Sequence, residues 1–224
     1  MLKAIIFDVD GVLVDSMRYQ ADAWVKTFKE VGISITREDI YELEGSNNQR
    51  LIKSIFEKAG KEPEPWHLEQ LPEKKRENLE FDRIKPFDGM LDCLKELKRH
   101  FKLAMVSGSH ADTVTKVVDK YFPNCFDVII TGSDLERGKP DPDPYLKAIE
   151  KLDILKNECM VIENAPMGIT AARRAGIYCV AVATMLEPER LQHADLVLED
   201  HAALIDYLRS LLTEHTSKSC DYIQ

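Results

Sequence analysis

Two carboxylates, Asp8 and Asp10, stand two residues apart in the stretch Phe7-Asp8-Val9-Asp10-Gly11-Val12-Leu13-Val14-Asp15-Ser16. They follow Leu2-Lys3-Ala4-Ile5-Ile6, an apolar run that reads as a buried β-strand, and Gly11 then lets the backbone turn. In open α/β sheets, ligands collect at the carboxyl ends of strands. A pair of acids placed there can hold a divalent cation through hard oxygen atoms, and one of them can serve as a nucleophile. By itself D-x-D also describes two solvated acids at a strand end, so other segments must decide between the readings.

Three further segments bear on the choice. Ser107-Gly108-Ser109 follows the apolar run Leu103-Ala104-Met105-Val106. A hydroxyl with exposed backbone N–H groups at such a turn can receive a phosphate, although S-G-S is also an ordinary turn. In Arg137-Gly138-Lys139-Pro140-Asp141-Pro142 a lysine is flanked by glycine and two prolines just before a helical pattern, which restricts its backbone path. Finally, Glu163-Asn164 ends the apolar run Met160-Val161-Ile162 and leads through Pro166 and Gly168 into a small-residue helix closed by Gly176.

Together these segments resemble the four motifs of the haloacid-dehalogenase superfamily of phosphohydrolases, in the family's order and over nearly the whole chain. D-x-D-G-x-x-x-D-S resembles the first motif, whose first Asp is the nucleophile and whose second is the acid/base; those roles fall on Asp8 and Asp10. Ser107, with Gly108, matches the phosphate-binding second motif. G-K-P-x-P is a frequent form of the third, which implies that Lys139 neutralises the phosphoryl oxygens and the nucleophile. The fourth is commonly E-D-S-x-x-G, and here Asn164 stands where an Asp usually binds the metal. The resemblance implies Mg²⁺ held by Asp8, Asp10, Glu163 and Asn164. An amide in that shell removes one negative charge, so weaker metal affinity, or a redesigned site, is expected.

The elements that must carry these residues follow from periodicity. Residues 16–85 read as helical, with Ala21, Trp24, Val25 and Phe28 on one face, a stripe at Leu51, Ile52, Ile55 and Phe56, a break at Pro63-Glu64-Pro65, and a last charged helix over 74–82. From Pro86 onward short apolar runs alternate with helical patterns, which argues for a Rossmann-like, doubly wound parallel sheet of α/β class. The division expected is therefore an α/β core of residues 1–15 and 86–224 and an inserted helical cap of residues 16–85. By resemblance this is the type-one cap of the β-phosphoglucomutase-like and phosphoglycolate-phosphatase-like branches. The polar tail from Thr213 is expected to fray.

Composition narrows the partners. The net charge is -9 with no basic block, which speaks against a nucleic-acid backbone as ligand. No apolar run approaches a membrane span, and the start enters a strand directly, so a cytoplasmic protein is expected, monomeric or homodimeric. The five cysteines are scattered without C-x-x-C and read as small buried hydrophobes, and the six histidines show no ligand spacing.

The reading that results is a Mg²⁺-dependent phosphohydrolase acting on a small, sugar-phosphate-like metabolite through an aspartyl phosphate. A phosphosugar mutase is the alternative. In β-phosphoglucomutase a His restrains the second Asp and a cap Arg holds the far phosphate; here Gln20 and Asn48 occupy those places, with Arg50 close by. A catalytically silent phospho-ligand module would need a broken nucleophile or lysine, and both are intact.

Overall fold

A computed structural model describes residues 1–220 of the chain, with side chains described through Thr213. Six parallel strands form the main sheet in the order β5-β4-β1-β6-β7-β8. They are β1 (Ala4–Phe7), β4 (Lys102–Val106), β5 (Val128–Ile130), β6 (Cys159–Glu163), β7 (Tyr178–Val182) and β8 (Leu196–Leu198). Helices α5 (Met90–Leu97), α6 (Ala111–Tyr121), α7 (Asp143–Leu152), α8 (Pro166–Ala175) and α9 (His201–Cys220) alternate with them.

The alternation of side chains along β1 explains its unbroken apolar run. Ile5 and Phe7 enter a cluster with Leu94, Val117 and Leu208, while Ala4 and Ile6 enter the opposite one with Tyr145, Ile149 and Ala172. Both faces of the strand are covered by helices, so neither set of positions is free to be polar. β1 lies between β4 and β6, where the chain order reverses, and its carboxyl end is therefore the sheet's crevice. The register pairs Phe7 with Met105 on one side and Ile162 on the other. One step further along, Asp8 comes level with the end of β4 and with Glu163, which brings three of the four motifs to one place.

Between β2 (Val14–Asp15) and β3 (Lys85–Pro86) the chain forms α1 (Met17–Glu30), α2 (Arg37–Tyr41), α3 (Asn48–Lys58) and α4 (Pro65–Asn78). β2 and β3 pair antiparallel, Val14 with Pro86 and Asp15 with Lys85, so the helical segment leaves and returns through one two-stranded link. It carries an apolar cluster of its own around Trp24, Phe28, Ile52, Phe56 and Leu71. Trp24 stacks on Phe28 with ring centroids 5.4 Å apart.

Two expectations about elements are corrected. The last helix of this segment runs over Pro65–Asn78 rather than 74–82, with Pro65 in its first turn and Pro72 inside it. A proline in the first turn has no N–H to lose, but Pro72 removes a helical bond that sequence propensity counts against the helix. Packing on α1 compensates: Leu71 is fully buried, Asn78 donates to the Thr27 hydroxyl at 3.0 Å, and Lys74 pairs with Glu30 at 3.0 Å. At the other end α9 continues helically to Cys220 instead of fraying from Thr213. The part of that expected tail at 221–224 lies outside the described residues. Cys93, Cys125, Cys159 and Cys179 are buried free thiols, and among the described residues no helix is long and apolar enough to cross a membrane.

Candidate active site

Asp8, Asp10, Ser107, Lys139, Glu163 and Asn164 are all brought to the carboxyl ends of β1, β4 and β6, and none is more than 9% exposed. Buried charges need partners, and the partners here define two separate environments.

The first surrounds Asp8. The Lys139 ammonium donates to Asp8 Oδ1 and, at 2.6 Å, to Glu163 Oε1. It also lies 5.2 Å from the centre of the Tyr145 ring, whose hydroxyl donates to the same Glu163 oxygen at 2.7 Å. Glu163 Oε2 accepts the backbone N–H groups of Asn164 and Ala165 at 2.8 and 3.0 Å. Gly168 is required by this arrangement, since a Cβ there would lie 1.6 Å from Glu163 Oε1. Burial pushes the Asp8 carboxyl well above its usual range, against the opposing pull of Lys139. Burial would lower Lys139, but the Asp8 and Glu163 carboxylates override it and raise its pKa, so the lysine stays charged.

The second surrounds Asp10. Its Oδ1 accepts the Ser16 hydroxyl at 2.5 Å and the Gln20 amide at 2.8 Å, and its Oδ2 accepts the Ser109 hydroxyl at 3.3 Å. The Lys75 ammonium, from α4, donates in turn to Gln20 Oε1. Ser107 Oγ accepts the Ser109 N–H at 3.1 Å and so shapes the turn that presents Ser109.

A cavity of about 40 Å³ lies over these carboxylates. Asp8, Asp10, Gly108 and Ser109 line it from the sheet, and Gln20, Glu44, Ser46, Asn48 and Lys75 line it from the helical segment. Ser107 and Lys139 face a smaller void of about 10 Å³ beside it, so they back the cavity rather than form its wall. The Gly45-Ser46-Asn47 turn presses on the core: Ser46 bridges to Lys139, and a Cβ on Gly108 would come within 3.2 Å of the Ser46 carbonyl oxygen.

The donor set fits a hard cation. Asn164 Oδ1 is buried with no hydrogen-bond partner, the one such side-chain atom among the described residues. Its Nδ2 packs where a side chain on Gly11 would be, 2.2 Å from that Cβ position. An orphaned buried amide oxygen is the kind of acceptor an oxygen-seeking ion satisfies. Glu163, expected from the resemblance to be a ligand, has both oxygens taken by protein donors in this arrangement.

Several contacts of these residues were not found from sequence, although Gln20 stands at the position of a restraining His. Ser16 and Gln20 are four apart at the start of α1 and so share a face, a spacing that offered a signal. Lys75 and Glu44 offered none, being far from Asp10 in sequence. His201, one of the six histidines without ligand spacing, places Nε2 3.1 Å from the Gly11 carbonyl oxygen, which also accepts the Thr184 hydroxyl at 2.6 Å. Its ring stacks on Phe87 at 3.3 Å, next to β3. Burial lowers the His201 pKa.

Comparison with known proteins bears on the family and the fold. The family described as haloacid dehalogenase-like hydrolase matches residues 5–182. The chain is 28% identical to validoxylamine A 7'-phosphate phosphatase of Streptomyces hygroscopicus subsp. limoneus, over 89% of this chain and 94% of that one. It is 29% identical to β-phosphoglucomutase of Bacillus subtilis, over 91% and 92%. The crystal structure of a hydrolase from Pseudomonas syringae superposes with a TM-score of 0.86 at 27% identity, over 93% and 98%. The chain belongs to the haloacid dehalogenase-like hydrolase family, in its β-phosphoglucomutase-like branch.

Proposed function

We propose that this chain, a phosphatase of its family, hydrolyses a small sugar-phosphate-like metabolite through an aspartyl phosphate on Asp8. The observation that carries the reading is that its two motif carboxylates occupy different environments. Asp8 is tied to the Lys139 ammonium, whose charge opposes the effect of burial on its carboxyl. Asp10 is held by hydroxyl and amide donors beside the same cavity. Pairs of titratable groups set apart in this way take different roles in one reaction.

In the first half-reaction Asp8 Oδ attacks phosphorus, the bond from phosphorus to the ester oxygen breaks, and Asp10 gives its proton to the leaving oxygen. In the second, Asp10 takes a proton from water, the water oxygen attacks phosphorus, and inorganic phosphate leaves with Asp8 restored. Lys139 offsets the charge of nucleophile and phosphoryl group throughout, and the Ser107-Gly108-Ser109 turn receives phosphoryl oxygens. Asp8, the Asp10 backbone carbonyl and Asn164 would hold Mg²⁺, with Glu163 fixing Lys139 and the Asn164 backbone behind them. The ion's contribution when bound is to lower the repulsion between an anionic nucleophile and an anionic substrate. Residues 16–85 act as the cap that excludes bulk water, moving on the β2–β3 link.

A mutase reading is favoured by one observation, the restraint that Gln20 places on Asp10, and by the relative named β-phosphoglucomutase. Against it, Asn48 stands at the cavity wall where a phosphate clamp would be needed, and Arg50 is exposed and outside that wall.

Phosphorus NMR on β-glucose 1-phosphate and a panel of hexose and polyol phosphates, with Mg²⁺, tests the proposal. The expected result is stoichiometric inorganic phosphate without a bisphosphate activator, abolished in Asp8→Asn with circular dichroism unchanged. Conversion of glucose 1-phosphate to glucose 6-phosphate with almost no free phosphate would establish the mutase instead. Full turnover by Asp8→Asn would remove the covalent mechanism.

A further inference from the structure

Glu44 lines the cavity over Asp8 and Asp10 yet has no part in the two half-reactions. It sits on the turn between α2 and α3, and its carboxyl is pushed up to about 7, chiefly by burial and next by the Asp10 charge. Its place in the cavity wall matters because of the cations available there. Lys75 is the only basic residue in that wall, and its ammonium is engaged by Gln20. Lys139 is committed to Asp8 and Glu163.

The route away from the carboxylates has the same character. A groove of about 240 Å³ adjoins the cavity and shares Asn48 and Gly108 with it. Its polar side chains are those of Asn47, Asn48, Gln49, His110, Ser133 and Glu136, with no Lys or Arg in its wall. An alcohol leaving the phosphoryl group toward this groove passes a carboxylate and then meets amides and a hydroxyl. Hydroxyl groups can be satisfied by such a lining. A second phosphate or a carboxylate would meet Glu44 and Glu136, with Lys75, whose charge already faces Asp10 and Glu44, the one Lys or Arg in either wall, and like-charge juxtaposition of this kind is disfavoured.

We propose that Glu44 is a specificity-determining residue: its carboxylate accepts a hydrogen bond from a hydroxyl or ammonium group of a neutral or cationic polyhydroxylated leaving group, and it rejects monoesters whose leaving group carries a second anion. This rests on the phosphatase reading above. The substrate class it selects is the monophosphate of a sugar or polyol, in preference to bisphosphates and phosphorylated carboxylic acids.

The test is a set of kcat/KM ratios measured at pH 8, above the raised Glu44 pKa, on one enzyme preparation at a time. Sorbitol 6-phosphate and glucose 6-phosphate are compared with fructose 1,6-bisphosphate and phosphoglycolate, with para-nitrophenyl phosphate as reference. The wild type is expected to prefer the neutral leaving groups by about tenfold or more. Glu44→Lys should shift the ratio of bisphosphate to sorbitol 6-phosphate upward by about tenfold or more, by replacing repulsion with attraction. Glu44→Gln, which keeps size and removes charge, should shift it in the same direction by a smaller factor and serves if the lysine variant does not fold. A wild type that prefers the anionic leaving groups, or ratios unmoved in the folded variants, overturns the role of Glu44 while phosphate release from para-nitrophenyl phosphate leaves the phosphatase reading standing. No Mg²⁺-dependent phosphate release from any substrate, the reference included, overturns both.

Discussion

The Gln20 amide donates to Asp10 Oδ1 at 2.8 Å, so the first helix of the inserted segment holds the carboxylate proposed above as the acid/base. Read from sequence, Gln20 in place of a histidine left Asp10 unrestrained; in the structure an amide supplies the restraint. It differs from an imidazole in one respect, because an amide does not titrate and so fixes orientation without carrying charge. The cavity's lack of a phosphate clamp, rather than a free Asp10, therefore favours hydrolysis over transfer.

Removing that restraint should slow the chemistry. Gln20→Ala leaves Asp10 with Ser16 and Ser109 and cuts Lys75 off from it. We expect kcat on para-nitrophenyl phosphate to fall by about tenfold to a hundredfold, part of what a placed acid/base contributes, with KM changed much less. Steady-state kinetics across pH 5–8 checks this. An unaltered kcat would mean that Ser16 and Ser109 suffice.

Asn164→Asp should tighten metal binding and destabilise the metal-free protein. It adds a charge beside Asp8, Asp10 and Glu163, which costs stability until a cation offsets it. Thermal unfolding should show a lower Tm than wild type without Mg²⁺ and a larger rise with it. The Mg²⁺ concentration for half-maximal rate should fall by about tenfold, since a carboxylate replaces an amide as ligand. Identical Mg²⁺ titrations for the two proteins would place Asn164 away from the ion.

His201→Ala removes both the stack on Phe87 and the contact with the Gly11 carbonyl oxygen, leaving Thr184 as that oxygen's side-chain donor. The Asp10 loop should loosen, lowering kcat by about threefold to tenfold through misplacement of the reacting groups. His201→Gln, which can still donate, should recover part of the loss. The imidazole also makes stability pH-dependent. Its folded pKa is held below 6.5 by burial, so below pH 6.5 the unfolded chain binds the proton first and stability falls as pH drops. The glutamine variant should lack that acid-side loss in denaturant titrations at pH 5 and pH 7.

Glu44 acts with the opposite sign. Its carboxyl titrates near 7 in the fold against 4.5 for an ordinary glutamate. Across that window the unfolded chain is ionised while the folded one keeps its proton, so stability falls as pH rises from 4.5 to about 7. The full shift corresponds to about 3 kcal/mol, an upper bound because the side chain keeps some solvent contact. Glu44→Gln should therefore gain Tm over wild type at pH 8 compared with pH 5, at about 2–4 °C per kcal/mol for a domain of this size. Parallel Tm curves for the two proteins would show that Glu44 is not buried in solution.

The amino-acid sequence alone determined the sheet and marked the candidate reacting groups. Each strand is a short apolar run because both of its faces are covered, and that leaves a pattern in Ala4-Ile5-Ile6-Phe7 and Met160-Val161-Ile162 that needs no coordinates to see. Asp8, Asp10, Ser107, Lys139, Glu163 and Asn164 each follow such a run or a constrained turn, so a local signal marks every one of them. Tertiary structure alone decided who restrains whom. Lys75 reaches Gln20 across 55 residues, Glu44 enters the Asp10 cavity on a turn with no motif, and His201 joins the Gly11 loop from the far end of the chain. Helix α4 itself runs through Pro72, against its local propensity, because Leu71 and Lys75 are held by packing on α1. Local patterns report which backbone a segment prefers and which atoms could react; the contacts that orient those atoms come from distant segments whose own sequences are satisfied by many other placements.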